Sequence, residues 1–212
     1  MLEIKKISHH YHEQQVLNQI SFTFEAGKIY AIVGESGVGK STFLSVISGL
    51  DFLQTGEIWY QTKKVTNFDC YRRQIGYVFQ AFNLVPYLSA VENVRLALDI
   101  HAKVKTIAQI KEILKSVGIV GQTLEKKCAD LSGGQQQRVA IARAVALDEK
   151  LIIADEPTGN LDKNNAKHVL EIFEHLKLEG KCIIMVTHDR QLANQTDIVL
   201  TLKAGELVVL KD

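Results

Sequence analysis

An α/β fold built on a mostly parallel sheet is what this 212-residue sequence predicts, and three observations predict it. Five short runs, Lys28–Val33, Ile75–Phe79, Leu151–Ala154, Cys182–Val186 and Ile198–Leu202, are continuously rich in Ile, Val and Leu. Unbroken apolar runs suit strands buried on both faces, as in a parallel sheet. Helical periodicity lies between them, and alternation of strands with helices makes an α/β architecture. Finally, the first run feeds a glycine-rich turn that opens a helix carrying Phe43, Leu44 and Ile47.

Taken in order, the first ~30 residues and the stretch Gly56–Tyr60 read as short antiparallel strands, an N-terminal β subdomain beside the parallel core. From about Val85 to Ala146 no convincing long strand occurs, which predicts a helical subdomain inserted at 85–146 of a single domain spanning 1–212. Within it Ile107, Ile110, Ile113, Leu114 and Val117 share one face of a helix that Gly118 ends. Ala166, Val169, Leu170, Phe173 and Leu176 do the same in a later helix, with Asp162 as its N-cap and Gly180 as its stop. There are only two prolines, no linker-like tract and no repeat.

Composition excludes several classes. With 46% hydrophobic and 23% charged residues the chain is an ordinary globular protein, not a disordered one or a fibre. Lys and Arg total 25 against 24 Asp and Glu, so there is no electrostatic footprint for nucleic acid and no polybasic anchor for a membrane. The apolar runs fall far short of the ~20 residues of a membrane helix. The N-terminus lacks the apolar stretch of a secretory signal, which leads us to expect a soluble cytoplasmic chain. Cys70, Cys128 and Cys182 are odd in number and far apart, and read as reduced thiols without metal spacing, Cys182 as core. His9, His10 and His12 have no further ligand nearby in sequence to complete a metal site. Lysines 103, 105, 111, 115, 126 and 127 read as a solvated face of the helical insertion, with contact to lipid headgroups as the lesser alternative.

Two motifs carry chemistry directly. Gly34-Glu-Ser-Gly-Val-Gly-Lys-Ser41 fits the P-loop pattern, with the strand before it and the helix after it that the pattern requires. Glycines let backbone N–H groups turn inward around a phosphate, and the helix N-terminus adds partial positive charge. Lys40 can reach the β- and γ-phosphates and the Ser41 hydroxyl can ligate Mg²⁺, so the motif predicts a nucleoside triphosphate ligand. Leu151-Ile-Ile-Ala-Asp155-Glu156 is an apolar strand ending in two carboxylates. Acidic residues are common at solvated strand ends, but beside a P-loop Asp155 is placed to hold Mg²⁺, directly or through water. Glu156 can then orient or deprotonate a water at the γ-phosphate.

Leu131-Ser132-Gly133-Gly134-Gln135, followed by Gln136-Gln-Arg-Val-Ala-Ile-Ala-Arg-Ala144, resembles the signature of ATP-binding cassette (ABC) ATPases. Leu131 stands 24 residues before Asp155, where that family carries the motif. The resemblance extends from Tyr11 to His188, essentially the whole chain. It implies a P-loop NTPase with a RecA-like core, ATP and Mg²⁺ as ligands, and an ATPase as the activity. The cradle would be Gly34, Ser36, Gly37, Gly39, Lys40, Ser41 and Thr42. Ser132, Gly133, Gly134 and Gln135 would contact the γ-phosphate of ATP on the opposite subunit. Gln80 resembles the Q-loop glutamine that senses Mg²⁺ and the membrane partner. Asn160-Leu161-Asp162 resembles the D-loop at the dimer interface, His188 matches the switch histidine, and Tyr11 sits where an aromatic stacks on adenine.

Phe79–Pro86, Glu92-Asn93-Val94 and Asp155–Asp162 look like one bacterial branch, that of lipoprotein-release, macrolide-export, antimicrobial-peptide-resistance and cell-division ATPases. The implied protein is a motor subunit held on the inner face of the cell membrane by permease subunits. With one P-loop per chain, two copies or close paralogues must pair head-to-tail. The alternative within the family is a switch controlling an extracytoplasmic enzyme or sensor, or less favourably a soluble ABC protein. A simple P-loop kinase would have no use for Leu131–Gln135. The chain ends soon after Glu206–Leu210, where no C-terminal regulatory domain is expected.

Overall fold

The computed structural model describes residues 1–159 and 161–211. Ten strands, seven α-helices and two short 3-10 helices follow one another among them. A hairpin of β1 (Leu2–Tyr11) and β2 (Gln14–Phe24) leads into β3 (Ile29–Val33) and α1 (Lys40–Ser48). Next come β4 (Thr55–Tyr60), the two-residue β5 (Lys63–Lys64), the short α2 (Phe68–Arg72) and β6 (Ile75–Val78). Three helices follow, α3 (Ala90–Ile100), α4 (Ile107–Ser116) and α5 (Gly133–Ala146). The chain closes with β7 (Leu151–Asp155), α6 (Lys163–Leu178), β8 (Cys182–Val186), α7 (Arg190–Ala193), β9 (Ile198–Lys203) and β10 (Glu206–Lys211).

The strands form two sheets. A six-stranded sheet runs β10-β9-β3-β8-β7-β6, parallel throughout except for the antiparallel edge strand β10. A four-stranded antiparallel sheet runs β2-β1-β4-β5. The continuous apolar runs fall where both faces of the larger sheet are covered, and all five residues of β3 and of β8 are buried. Side chains alternate across a strand, so β3 divides between two cores. Ile29, Ala31 and Val33 face a core that includes Val94, Leu114, Ile141 and Phe173 from the later helices. Tyr30 and Ile32 face the other, with Phe43, Leu44 and Ile47 of α1 and Leu2, Ile4 and Phe24 of the small sheet.

Three expectations shift in detail. The strand read as Ile75–Phe79 ends at Val78, which frees Phe79 and Gln80 for a loop. Within the lysine set, Lys103 is half-buried and its ammonium binds the Leu147 carbonyl and the Glu149 carboxylate, tying the end of α3 to the turn before β7. Its four-carbon stem reaches what a sequence-local reading of solvated lysines could not include. His9, His10 and His12 separate as well: His9 is buried, while His10 and His12 are exposed.

Candidate functional site

The site forms where the carboxyl ends of the central strands meet the first turn of α1, the usual place for ligands in open α/β sheets. Gly39 caps α1 with φ of 105°, and a Cβ there would lie 2.4 Å from Cγ1 of Val16 on β2. Only glycine lets the loop close that tightly. It offers no side-chain cap, so the first N–H groups of α1 stay available to an anion.

Lys40, 5% exposed, curls back under the loop, and its Nζ donates to the carbonyl oxygens of Gly34 (3.0 Å) and Glu35 (2.7 Å). Burial lowers the pKa of this ammonium, while the charges of Glu156 and Asp155 oppose the shift. The Ser41 hydroxyl donates to Oδ1 of Asp155 at 3.2 Å. Burial raises the pKa of Asp155 against that hydrogen bond, and the neighbouring Glu156 charge raises it further. A hydroxyl and a carboxylate from different elements thus converge, a donor set of the hard-oxygen type that Mg²⁺ takes.

Glu156 leaves the end of β7 in the left-handed region, φ 45°, while its N–H donates to the Val186 carbonyl of β8 at 3.1 Å. A non-glycine residue held this way is strained, and such residues cluster at functional sites. The result is a carboxylate gripped from two sides. His188 Nε2 lies 2.5 Å from Oε1, and Gln80 Nε2 donates to Oε2 at 3.4 Å.

Together these residues line a cleft of about 490 Å³. Ser36, Gly37, Gly39, Lys40, Ser41 and Thr42 form one side, Gln80, Glu156 and His188 the other, and Tyr11 the edge. Gly34 and Asp155 reach it through their contacts with Lys40 and Ser41. Ser132, Gly133, Gly134, Gln135 and Asp162 are not among its lining residues. They make a second constellation of their own. Ser132 caps α5 in a reciprocal box with Gln135, its Oγ accepting the Gln135 N–H while its own N–H donates to Gln135 Oε1. Asp162 caps α6 by accepting the N–H groups of Asn164 and Asn165, bonds that hold its pKa below the usual carboxylate range. Asn160 lies outside the described residues.

Sequence reasoning missed what joins these two caps. Arg138 Nη1 donates to Asn165 Oδ1 at 2.7 Å, Asn165 Nδ2 donates to Asp162 Oδ2 at 2.6 Å, and a Cβ on Gly134 would lie 2.7 Å from the Asn165 side chain. It also missed Arg143, whose guanidinium holds the carbonyls of Phe82 and Asn83, two consecutive left-handed residues just after Gln80. No local pattern marks either contact. Beside that loop a second cleft of about 400 Å³ is lined by Tyr77, Phe79, Leu96 and Ile100, with Arg72 and Arg143.

Comparison with known proteins adds relatives to this geometry. The family model described as ABC transporter matches residues 17–159. The chain is 42% identical to an uncharacterized ABC transporter ATP-binding protein, YclH of Bacillus subtilis, over 99% of this chain and 96% of that protein. It is 39% identical to the lipoprotein-releasing system ATP-binding protein LolD of Shewanella frigidimarina, over 99% and 93%. It is 38% identical to the macrolide export ATP-binding/permease protein MacB of Mannheimia succiniciproducens, over 98% of this chain but only 34% of that one. Among solved structures, the dimeric bacterial ABC transporter cassette MJ0796 superposes with a TM-score of 0.89 at 35% identity, each chain fully covered. The same cassette, dimeric in a post-hydrolysis state with ADP and Pi, gives 0.88 at 33%, again with full coverage.

Proposed function

The chain belongs to the ABC transporter family as an ATP-binding, ATP-hydrolysing subunit, and from that membership we propose that two such chains share each ATP and drive a membrane permease of the export or lipoprotein-handling kind. The observation that carries the proposal is the separation of the two constellations: the phosphate cleft has no signature residue among its lining, while Ser132–Gln135 stand apart with Asp162. A second copy, arranged head-to-tail, supplies the missing wall.

In this reading the α1 N-terminus, the loop Gly34–Gly39 and Thr42 cradle the triphosphate, and Lys40 turns from its two carbonyl acceptors to the β- and γ-phosphates. Ser41, Asp155 and the Gln80 amide oxygen would hold Mg²⁺, which when bound neutralises charge between the phosphates. Glu156 accepts the proton of the attacking water, and His188 and Gln80 hold its carboxylate in place. Tyr11 contributes the ring on which the base stacks. Hydrolysis to ADP and phosphate removes the γ-phosphate that both chains grip, and the pair opens.

The apolar cleft beside Phe79 fits a segment of the permease. Phe79 in its wall directly precedes Gln80 in the chain, so a shift of the docked segment has a route to Glu156 through one side chain. No helix among the described residues is long and apolar enough to cross a membrane. In this reading the permease holds the chain at the inner face of the cell membrane. The test is recovery of tagged Glu156→Gln protein, loaded with ATP, from detergent-solubilised membranes of the native host. A co-purifying permease is expected; recovery of soluble proteins alone would overturn the proposal.

A further inference from the structure

At the edge of the cleft Tyr11 is 48% exposed, yet its hydroxyl is tied down. It donates to Oδ2 of Asp51 at 2.8 Å. That carboxylate is itself fixed, because Oδ1 accepts the N–H of Phe52 at 2.7 Å and the Asp51 N–H donates to the Ser45 carbonyl of α1 at 3.0 Å. Asp51 is therefore tied to the last turn of the helix whose first turn carries Lys40 and Ser41. Behind the ring stands His9, two residues earlier on the same face of β1. It is 2% exposed, its ring centroid is 4.8 Å from that of Tyr11 at 75°, and Nε2 is 3.7 Å from Asp51 Oδ2. Neither ring nitrogen of His9 has a hydrogen-bond partner. Between them the backbone of His10 is clamped by Gln54, which accepts its N–H at 2.8 Å and donates to its carbonyl at 2.9 Å.

We infer that Asp51 is a positioning residue for the nucleotide: it holds the Tyr11 phenol, against the buried His9 ring, in the plane on which the base stacks. The inference rests on the reading of Tyr11 as the base-contacting ring. An exposed tyrosine would otherwise sample several rotamers, and ordering it on binding would cost affinity. Here the ordering is done before the nucleotide arrives, and the ring is registered to the same helix that cradles the phosphates. The hydrogen bond to a carboxylate also pushes the Tyr11 hydroxyl above its ordinary pKa, so it stays a donor. A simple charge effect has the opposite sign. A carboxylate near a triphosphate repels it, so on that account every neutral substitution of Asp51 would tighten binding.

The test compares ATP with inorganic tripolyphosphate, which has no base. Asp51→Ala is expected to weaken ATP binding about three- to tenfold and to raise KM by a similar factor with kcat little changed. Tripolyphosphate affinity should not move, and Asp51→Asn, whose carbonyl can still accept the phenol, should restore ATP affinity. Combined with Tyr11→Phe, Asp51→Ala should add nothing. Parental ATP affinity in Asp51→Ala, an equal loss for tripolyphosphate, or additive effects in the double variant would overturn the inference. Tyr11→Ala separates the two levels. If it weakens ATP binding while Asp51→Ala does not, only the positioning role fails; if it has no effect, the stacking reading fails and the inference with it.

Discussion

His188 Nε2 and Glu156 Oε1 stand 2.5 Å apart at the ends of two neighbouring parallel strands, β8 and β7. One side chain is the base we assign to the attacking water, and the other fixes its direction. His188→Ala removes that restraint while leaving the phosphate cradle intact. We expect ATP affinity within about twofold of the parent and kcat lower by about a hundredfold, in the range of lost positioning or proton-transfer assistance. Parental kcat in a phosphate-release assay would remove His188 from the catalytic step.

Asp155 links stability to pH. Its pKa is raised, first by burial, so the native state binds this proton more tightly than the unfolded chain does. The ionised carboxylate therefore costs stability above the folded-state pKa, and the cost is relieved as pH falls through it. Nucleotide-free Asp155→Asn should melt at a higher temperature than the parent at neutral pH, with the gap closing in acid, and should lose turnover. A lower Tm at neutral pH would contradict this reading of the site as strained in the absence of its cation.

Gly134 tests the second constellation. Alanine there would place Cβ 2.7 Å from the Asn165 side chain, which is held by Arg138 and Asp162. Either the Asn165 amide must leave its two partners or the α5 N-terminus must shift, while the phosphate cleft is untouched. Gly134→Ala should keep single-chain ATP binding within about twofold and lower turnover by tenfold or more. Loss of ATP binding would mean that Gly134 acts on its own chain's cleft.

Arg143 supports the loop beyond Gln80. Truncation to alanine leaves the Phe82 and Asn83 carbonyls without this donor and two left-handed residues unsupported. These carbonyls are only partly buried, so water replaces much of what is lost; at about 0.5–1.5 kcal/mol for an ordinary hydrogen bond, Tm should fall by about 1–6 °C. Calorimetry showing no change would mean the loop holds its shape without the guanidinium.

Much of this was legible in the sequence, for identifiable reasons. β3, β7 and β8 are buried on both faces, so their apolar runs needed no partner to be recognised. Lys40, Ser41, Asp155 and Glu156 lie in motifs whose spacing is set by local backbone geometry. The helices α2 and α7, of five and four residues, are too short to show a period. Asp51, Arg138 and Arg143 are illegible because each acts on a residue distant in the chain, and only folding defines that pairing. Even Asp162, legible as a cap, gave no sign that its second oxygen joins α6 to α5 through Asn165.

The sharing of one ATP by two chains is tested by the mass of Glu156→Gln in solution. The amide keeps the carboxylate's shape but cannot take the proton, so turnover should fall by about 10²–10⁴ while ATP stays bound. Light scattering after gel filtration should then give a dimer with ATP and a monomer with ADP, and adding Gly134→Ala should return the ATP form to a monomer. A monomer at saturating ATP, or a dimer indifferent to the nucleotide, would contradict the shared site.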